Sequence, residues 1–296
     1  MNNNHSFLGS SVALITPMFD DGEVDYASLE NLIDFHIDAG TSSIVSVGTT
    51  GESATLGVKE HLKVIKHTIE YAAKRIPVIA GTGANSTSEA IELTQKAKNL
   101  GADACLLVTP YYNKPTQEGL YQHFKLIAET VDIDQLLYNV PGRTAVDMSV
   151  DTTLRLTEIE NIIGIKDATG DLSVIKQLVE QCPEDFLLLT GDDATALDFI
   201  LCGGHGGISV TANIVPKELQ KVYLSAISGQ SELAKELNKK LESLHEHLFL
   251  EANPIPVKWA LHKMGKCHKR IRLPLRVLSD EYEPAVLAAL ENLELV

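Results

Sequence analysis

The chain has 296 residues, of which 44% are hydrophobic and 22% charged, the composition of an ordinary globular protein. Its formal net charge of −15 excludes the basic field that a nucleic acid or an anionic membrane requires, although a few local cations still permit a small anionic substrate. The length suits one large α/β domain with a smaller appendage, or two domains.

The four cysteines indicate the redox compartment. They are widely spaced and form no CxxC pair, which predicts reduced thiols, no zinc site and no disulfide framework: Cys105, Cys182, Cys202 and Cys267. Residues 1–6 lack the basic and apolar segments of a secretion signal. No apolar run approaches the ~20 residues needed to span a bilayer. We therefore expect a cytoplasmic protein without a membrane or nucleic-acid partner.

Short apolar runs alternate with amphipathic stretches along the first 230 residues. The predicted strands are residues 12–15, 43–47, 77–80, 104–108, 135–138, 162–166, 187–190 and 207–210. The predicted helices between them are residues 26–39, 59–73, 86–100, 117–129, 149–156, 172–181, 195–201 and 216–228. Gly40 and Gly101 are placed as C-caps, and Ser86 with Glu89 forms a capping-box pattern.

Eight consecutive strand–helix units determine the predicted fold class. Such units give parallel strands with right-handed crossovers, in either a closed barrel or an open doubly wound sheet. Eight units favour the closed TIM (β/α)8 barrel. No GxGxxG follows the first strand, which disfavours a dinucleotide-binding sheet.

The strand pattern stops near residue 230. Helical patterns follow at residues 231–250, 257–264 and 280–293. The sequence therefore predicts a catalytic barrel over residues 1–230 and a C-terminal helical region over residues 231–296, packed on the barrel.

Lys166 interrupts the apolar strand 162–166, which has the pattern of a strand buried on both faces. Burying an ammonium is costly unless it is paired or loses its proton. Lys166 is therefore either neutralised by a carboxylate, such as that of Asp167, or held nearly neutral for chemistry.

Active sites of such barrels lie where the strands end at their carboxyl edge. The residues at these positions include Thr49, Thr50, Tyr111, Tyr112, Tyr138, Arg143, Lys166, Gly191, Asp192 and Ile208. Together they predict a pocket for an anionic carbonyl compound. Lysine is the side chain that condenses with a ketone, and a tyrosine polarised by a second hydroxyl can carry protons.

Other clusters favour simpler explanations. No histidine pair with helical i,i+4 spacing stands beside a carboxylate at the strand ends, so we expect no metal and no cofactor. His245 and His247 are predicted to be surface residues. Residues 203–207 could cradle an anion, but a tight turn is favoured. The basic run 266–272 lacks interleaved aromatic residues, and we predict a solvated connector there.

Four motifs then carry a resemblance over essentially the whole chain: GTTGES at 48–53, YYNKP at 111–115, YNVPGRT at 138–144 and GIKD at 164–167. Their order and spacing resemble the dihydrodipicolinate synthase / N-acetylneuraminate lyase family of class I aldolases. The Asn-Val-Pro-x-Arg-Thr segment resembles the synthase branch, because the sialic-acid lyases lack the arginine, Arg143.

The resemblance implies a role for each motif residue. Lys166 would form an imine with pyruvate, which the Thr50 loop and main-chain groups near Gly191 and Ile208 would hold. Arg143 would bind the carboxylate of the second substrate, L-aspartate 4-semialdehyde. The proton relay would consist of Tyr138, Thr49 and Tyr112, with Tyr112 contributed by a neighbouring subunit.

The family resemblance also implies assembly and regulation. It predicts a homotetramer built as a dimer of dimers. It further predicts inhibition by L-lysine at a dimer-interface site, whose matching positions are Ser53, Ala54, His61, Asn85, Glu89 and Tyr111. Val58 stands where inhibited relatives often carry a histidine, and an apolar residue cannot supply that polar contact. We therefore predict inhibition that is weak or intermediate.

Two alternatives are open at this point. A sibling aldolase or lyase acting on a sugar acid would use the same lysine, but Arg143 argues against it. A non-enzymatic small-molecule sensor would keep the barrel without the chemistry. The complete set of Lys166, Tyr138, Thr49 and Tyr112 argues against that alternative.

Overall fold

A computed structural model describes residues 7–296, so the expectation about residues 1–6 lies outside the described residues. Eight parallel strands close into a barrel in the order β1 to β8, and each strand pairs with its sequence neighbours. Their bounds are β1 Gly9–Ala13, β2 Ile44–Ser46, β3 Val78–Gly81, β4 Ala104–Val108, β5 Gln135–Asn139, β6 Ile162–Asp167, β7 Leu187–Thr190 and β8 Gly206–Ser209. The predicted TIM (β/α)8 barrel is confirmed.

Helices surround the barrel as predicted, with each predicted bound within one residue of the observed one. They are α1 Tyr26–Ala39, α2 Val58–Ala72, α3 Thr87–Leu100, α4 Gln117–Thr130, α5 Pro141–Thr144, α6 Val150–Leu156, α7 Leu172–Gln181, α8 Ala196–Leu201 and α9 Pro216–Ile227. The short helix α5 was not predicted, because four residues carry no helical periodicity. Ser86 is the N-cap of α3, but its hydroxyl bonds to Ser88 Oγ, so no capping box forms.

Two apolar clusters hold the barrel together. The inner one fills the barrel with strand residues such as Val45, Leu136 and Leu189, and the outer one packs strands against helices. Gly164 of β6 shows how tightly the layers fit. A Cβ atom there would lie 2.5 Å from Leu187 Cβ, so only glycine allows β6 and β7 to approach this closely.

Strand β2 ends one residue earlier than predicted. Val47 adopts a left-handed backbone conformation with φ 55°, which turns the chain out of the sheet. A β-branched residue in this region is rare and strained, by roughly 1–3 kcal/mol. Glycine at position 81 is required beside it, since a Cβ there would lie 2.3 Å from the Val47 carbonyl oxygen.

The C-terminal region contains four helices: α10 Ser231–Lys239, α11 Glu242–His247, α12 Ile255–Lys263 and α13 Glu283–Glu291. The helical stretch predicted over residues 231–250 is divided into two separate helices, α10 and α11. Leu244, Trp259 and Leu290 join the same apolar cluster as the barrel helices. The division into two domains at residue 230 stays a prediction.

Two further expectations about polar residues were wrong. His245 is buried instead of lying at the surface, and its ring nitrogens bond to Thr211 Oγ1 (3.0 Å) and Asn238 Oδ1 (3.2 Å). The basic run is also more than a solvated connector. Cys267 and Ile271 are buried within it, and the Arg272 guanidinium bonds to Glu60.

The glycine-rich segment 203–207 is a tight turn. Gly206 has φ 146°, and a Cβ there would lie 2.1 Å from the Gly9 carbonyl oxygen. His205 Nδ1 accepts a hydrogen bond from the Leu188 amide at 2.9 Å. The segment therefore serves the packing of β8 against β1.

Within residues 7–296, no helix is both long and apolar enough to cross a membrane. Nor do His, Cys, Asp and Glu side chains in this part of the chain form a group of three that could hold a metal ion.

His36 provides a test of the core. It is fully buried, its Nδ1 shares a hydrogen bond with Thr41 Oγ1, and its Nε2 has no partner among the described residues. Burial, aided by the charge of Lys266, lowers the pKa of His36 from 6.5 to about 3. As the pH falls below 6.5, the unfolded chain therefore binds a proton that the folded chain does not bind until about pH 3.

We expect the free energy of unfolding to fall in this range, with His36 contributing up to about 1.4 kcal/mol per pH unit. Above pH 6.5 this contribution is constant. Urea unfolding from about pH 7.5 down to about pH 4.5 should give a shallower pH dependence for His36→Gln than for the wild type. Equal slopes for the two proteins would contradict the assignment.

Candidate active site at the carboxyl ends of the strands

The barrel register brings Tyr138 and Lys166 together. These residues are partners across the parallel pair β5 and β6, so both side chains point to the same side of the sheet, into the barrel. Both are buried, with 6% and 5% of their surface exposed. Lys166 Nζ lies 4.2 Å from the centroid of the Tyr138 ring, which presents its electron-rich face to the amine.

Asp167 does not neutralise its neighbour. Adjacent strand residues point to opposite faces, and the Asp167 carboxylate accepts hydrogen bonds from the Thr169 amide (3.0 Å) and Asn139 Nδ2 (3.2 Å). Burial raises the pKa of Asp167, and these hydrogen bonds oppose the rise. Within residues 7–296, no carboxylate forms an ion pair with Lys166.

Two lysines are buried in the described part of the chain, Lys166 and Lys258, and their surroundings differ. Lys258 Nζ forms an ion pair with Glu52 Oε1 at 2.5 Å and donates a second hydrogen bond to the Thr16 carbonyl oxygen. Burial lowers the pKa of Lys258, and the Glu52 carboxylate opposes this fall and holds the amine in an ion pair. Within residues 7–296 Lys166 has no such partner, so its amine is not held in an ion pair and is available to attack a carbonyl.

Thr49 and Thr50 lie on the loop between β2 and α2. Thr49 is half-buried and Thr50 is buried, and both line the same cavity as Lys166. The loop is tied to the barrel at Gly51, whose carbonyl oxygen accepts a hydrogen bond from Thr16 Oγ1 at 2.7 Å.

Arg143 reaches the cavity from the short helix α5. Its backbone position follows from Pro141, which occupies the first position of that helix. The guanidinium is exposed, and its Nη2 donates to the Asn253 carbonyl oxygen at 3.1 Å. A cation at the mouth of a small polar cavity is suited to binding an anionic substrate.

The cavity itself has a volume of about 150 Å³. Six predicted residues line it: Thr49, Thr50, Tyr138, Arg143, Lys166 and Gly191. Gly191 fits because a Cβ there would lie 2.5 Å from Lys166 Cε. Ile208 is buried in the inner cluster, and the lining residue that follows β8 is Val210.

Sequence reasoning also placed Asp192 at this rim, and it lines the cavity, but it missed Phe249 and Asn253 of the cavity wall. Phe249 and Asn253 belong to the C-terminal region, which was expected only to pack on the barrel. The proline-flanked segment that carries Asn253 was noticed only as a break between helices, so no pattern pointed to the site.

Tyr112 and the predicted lysine-site residues lie outside this cavity. Tyr112 is 90% exposed, so its ring is not packed against its own chain. Its backbone is in the left-handed region, with φ 75°. Beside it, Asn85 Nδ2 donates to the Tyr111 carbonyl oxygen at 3.1 Å. Burial and the charge of Glu89 raise the pKa of Tyr111.

The rest of the predicted lysine site surrounds the start of α2. Ser53 and Ala54 lie in a short 3-10 helix, Ser53–Thr55, just before α2. Val58, the first residue of α2, is 43% exposed. His61 is buried and donates from Nε2 to the Gly81 carbonyl oxygen at 2.8 Å. Burial lowers the pKa of His61.

Fold and site together define a class of protein: a (β/α)8 barrel that presents an unpaired, buried amine beside a tyrosine at its carboxyl rim. Within that class, the chain belongs to the dihydrodipicolinate synthetase family, whose model matches residues 6–293. The family identified from the four motifs is thereby confirmed.

Individual relatives agree over nearly their full length. A 4-hydroxy-tetrahydrodipicolinate synthase from Ruthia magnifica subsp. Calyptogena magnifica is 66% identical over 293 residues, 99% of each chain. The crystal structure of the chloride-inhibited dihydrodipicolinate synthase from Acinetobacter baumannii, complexed with pyruvate, is 57% identical with a TM-score of 0.97. It covers 98% of this chain and 100% of that one. A lysine-bound structure from Cyanidioschyzon merolae is 38% identical with a TM-score of 0.96 and covers 98% and 99% of the two chains.

Proposed function

We propose that the protein condenses pyruvate with L-aspartate 4-semialdehyde to give 4-hydroxy-tetrahydrodipicolinate, the committed step of diaminopimelate and lysine biosynthesis. It is a lyase of the class I aldolase type. Curated relatives at 58% and 66% identity carry the name of this activity, and a close structural relative binds pyruvate. These names favour the synthase over a sibling aldolase acting on a sugar acid.

The observation that carries the proposal is the environment of Lys166. Its amine is buried, has no carboxylate partner within residues 7–296 and lies against Tyr138 in a cavity of about 150 Å³. Such a cavity suits a three-carbon keto acid. Arg143 at its mouth supports binding of the carboxylate of the second substrate.

The first half of the reaction follows from this arrangement. The neutral Lys166 amine attacks the ketone carbon of pyruvate, and loss of water gives an imine. The Thr50 hydroxyl and main-chain groups near Gly191 and Ile208 hold the pyruvate. Removal of a methyl proton then gives an enamine, with Tyr138 moving the proton.

In the second half, the enamine carbon attacks the aldehyde of the semialdehyde, whose carboxylate Arg143 binds. The amino group of the new chain then displaces Lys166 and closes a six-membered ring. Thr49 and Tyr112 complete the proton relay with Tyr138. No metal and no cofactor takes part in these steps, since the imine provides the electron sink.

We infer that the relay tyrosine Tyr112 acts in a neighbouring subunit. Its exposed ring, turned away from its own cavity, supports a homo-oligomer, and we propose a tetramer built from two tight dimers. The free cysteines of residues 7–296 support a reducing compartment, the cytoplasm.

Reduction with borohydride in the presence of pyruvate tests the imine. We expect a lysine-linked pyruvyl mass on Lys166 by peptide mass spectrometry, and none on the buried but ion-paired Lys258. Lys166→Ala and Lys166→Arg should lose nearly all turnover. Tyr138→Phe should lose about 10²- to 10⁴-fold with little change in melting temperature. Absence of an adduct at Lys166 would refute the imine mechanism.

Gly191→Ala tests the positioning of the amine. The added Cβ would meet Lys166 Cε at 2.5 Å and Ala168 Cβ at 2.9 Å, so the lysine side chain must move. We expect turnover to fall about a hundredfold. Gly57→Ala is the matched control, because its Cβ would meet nothing within 4 Å. Equal activity of both variants would show that Lys166 does not depend on Gly191.

Steady-state assays with L-lysine test the regulatory site. The matching residues are Ser53, Ala54, His61, Asn85, Glu89 and Tyr111. We expect weak or intermediate inhibition, because Val58 offers no polar contact, and Val58→His should strengthen it. Sub-millimolar potency of the wild type would contradict this prediction. A lysine-bound relative supports the existence of such a site.

A further inference from the structure

The loop from Val47 to Glu52, which carries Thr49 and Thr50, needs support from outside. It is bounded by two non-glycine residues with left-handed backbone conformations, Val47 (φ 55°) and Glu52 (φ 59°). Such conformations are unfavourable and persist only where the surrounding structure holds them. Much of that support comes from the C-terminal region.

Asn253 makes the first contact. Its Nδ2 donates to Thr50 Oγ1 at 2.9 Å, and both residues are buried. A hydroxyl oxygen that accepts from an amide N–H must direct its own proton elsewhere. The Thr50 proton is thus left free for an acceptor in the cavity. The main-chain carbonyl oxygen of Asn253 separately accepts from Arg143 Nη2 at 3.1 Å.

Lys258, on helix α12, makes the second contact. It pairs with Glu52 at 2.5 Å, and their side chains are only 1% and 2% exposed. The other carboxylate oxygen, Glu52 Oε2, accepts from the Arg272 amide at 3.0 Å, so the carboxylate is held from two sides. A buried ion pair adds little net stability compared with apolar residues of similar size. The ion pair is therefore better explained by the position in which it holds Glu52 than by a gain in stability.

We propose that residues 253–258 are a positioning element of the active site. Asn253 orients the Thr50 hydroxyl so that it donates to the carboxylate of pyruvate, and Lys258 fixes the loop through Glu52. The identity of the ligand of Thr50 rests on the proposed function. The side chain of Asn253 bonds to Thr50 and that of Lys258 bonds to Glu52, so both act through the threonine loop.

Two substitutions at Asn253 test the orientation. Asn253→Ala removes the side-chain donor and keeps the carbonyl that binds Arg143. We expect the KM for pyruvate to rise about threefold to tenfold, with the KM for the semialdehyde unchanged. Asn253→Asp instead accepts the Thr50 proton and adds a negative charge, so its KM for pyruvate should rise further still. A purely structural role predicts the reverse order, because aspartate has the shape of asparagine.

The ion pair is tested by removing both charges together, in Glu52→Gln with Lys258→Met. We expect the double variant to raise the KM for pyruvate. Lys263→Met is the matched control on the same helix, since its ammonium lies over the Trp259 ring and does not reach the loop. If the double variant fails to fold, the two Asn253 variants decide the question.

Borohydride trapping separates a failure of the proposed function from a failure of the positioning role. If wild-type protein traps no pyruvate at Lys166, the proposed function itself fails. If the wild type traps pyruvate and the Asn253 variants keep a wild-type KM for pyruvate, the positioning role is overturned.

Discussion

The active site depends on a buried amine that has no counterion. A carboxylate beside a buried lysine holds the amine in an ion pair, and an amine without that partner is available to attack a carbonyl. Lys166 lies between apolar strand residues and the Tyr138 ring, and within residues 7–296 it has no acidic partner. Closure of the barrel provides this environment, because a parallel strand covered on both faces excludes water from the side chains that point inward.

A second buried lysine of the same chain is, by contrast, ion-paired. Lys258 is at least as deeply buried as Lys166, yet it is paired with Glu52 and bonded to the Thr16 carbonyl oxygen. One buried lysine is therefore held for chemistry and the other for structure. Burial alone does not distinguish them; the distance to a carboxylate does.

The sequence allowed the fold to be predicted well, and the reasons are local. Helices α1 and α7 matched their predicted bounds because amphipathic periodicity and caps act over a few residues. Strand ends were less accurate. Val47 was assigned to β2 because valine favours strands, but the close approach of Gly81 and the loop contacts enforce a left-handed turn there.

The site residues could be predicted only where they lie at the carboxyl ends of the barrel strands. Six lining residues were inferred because each lies in the last part of a strand or in the loop after it, where barrel sites form. Asn253 and Phe249 lie far along the chain in a helical region, and their place in the wall depends on tertiary packing. No periodicity encodes which turn of a C-terminal segment will meet which loop.

The C-terminal region thus has a physical reason to be part of the enzyme. The eight-stranded barrel forms the floor of the site. The loops that follow its strands can adopt strained backbone conformations, as the Val47–Glu52 loop does. A loop of this kind keeps its geometry only if contacts from another element determine it. Asn253 and Lys258 provide such contacts on opposite sides of Gly51. Residues remote in sequence therefore help to position Thr50 in the cavity that it lines together with Lys166.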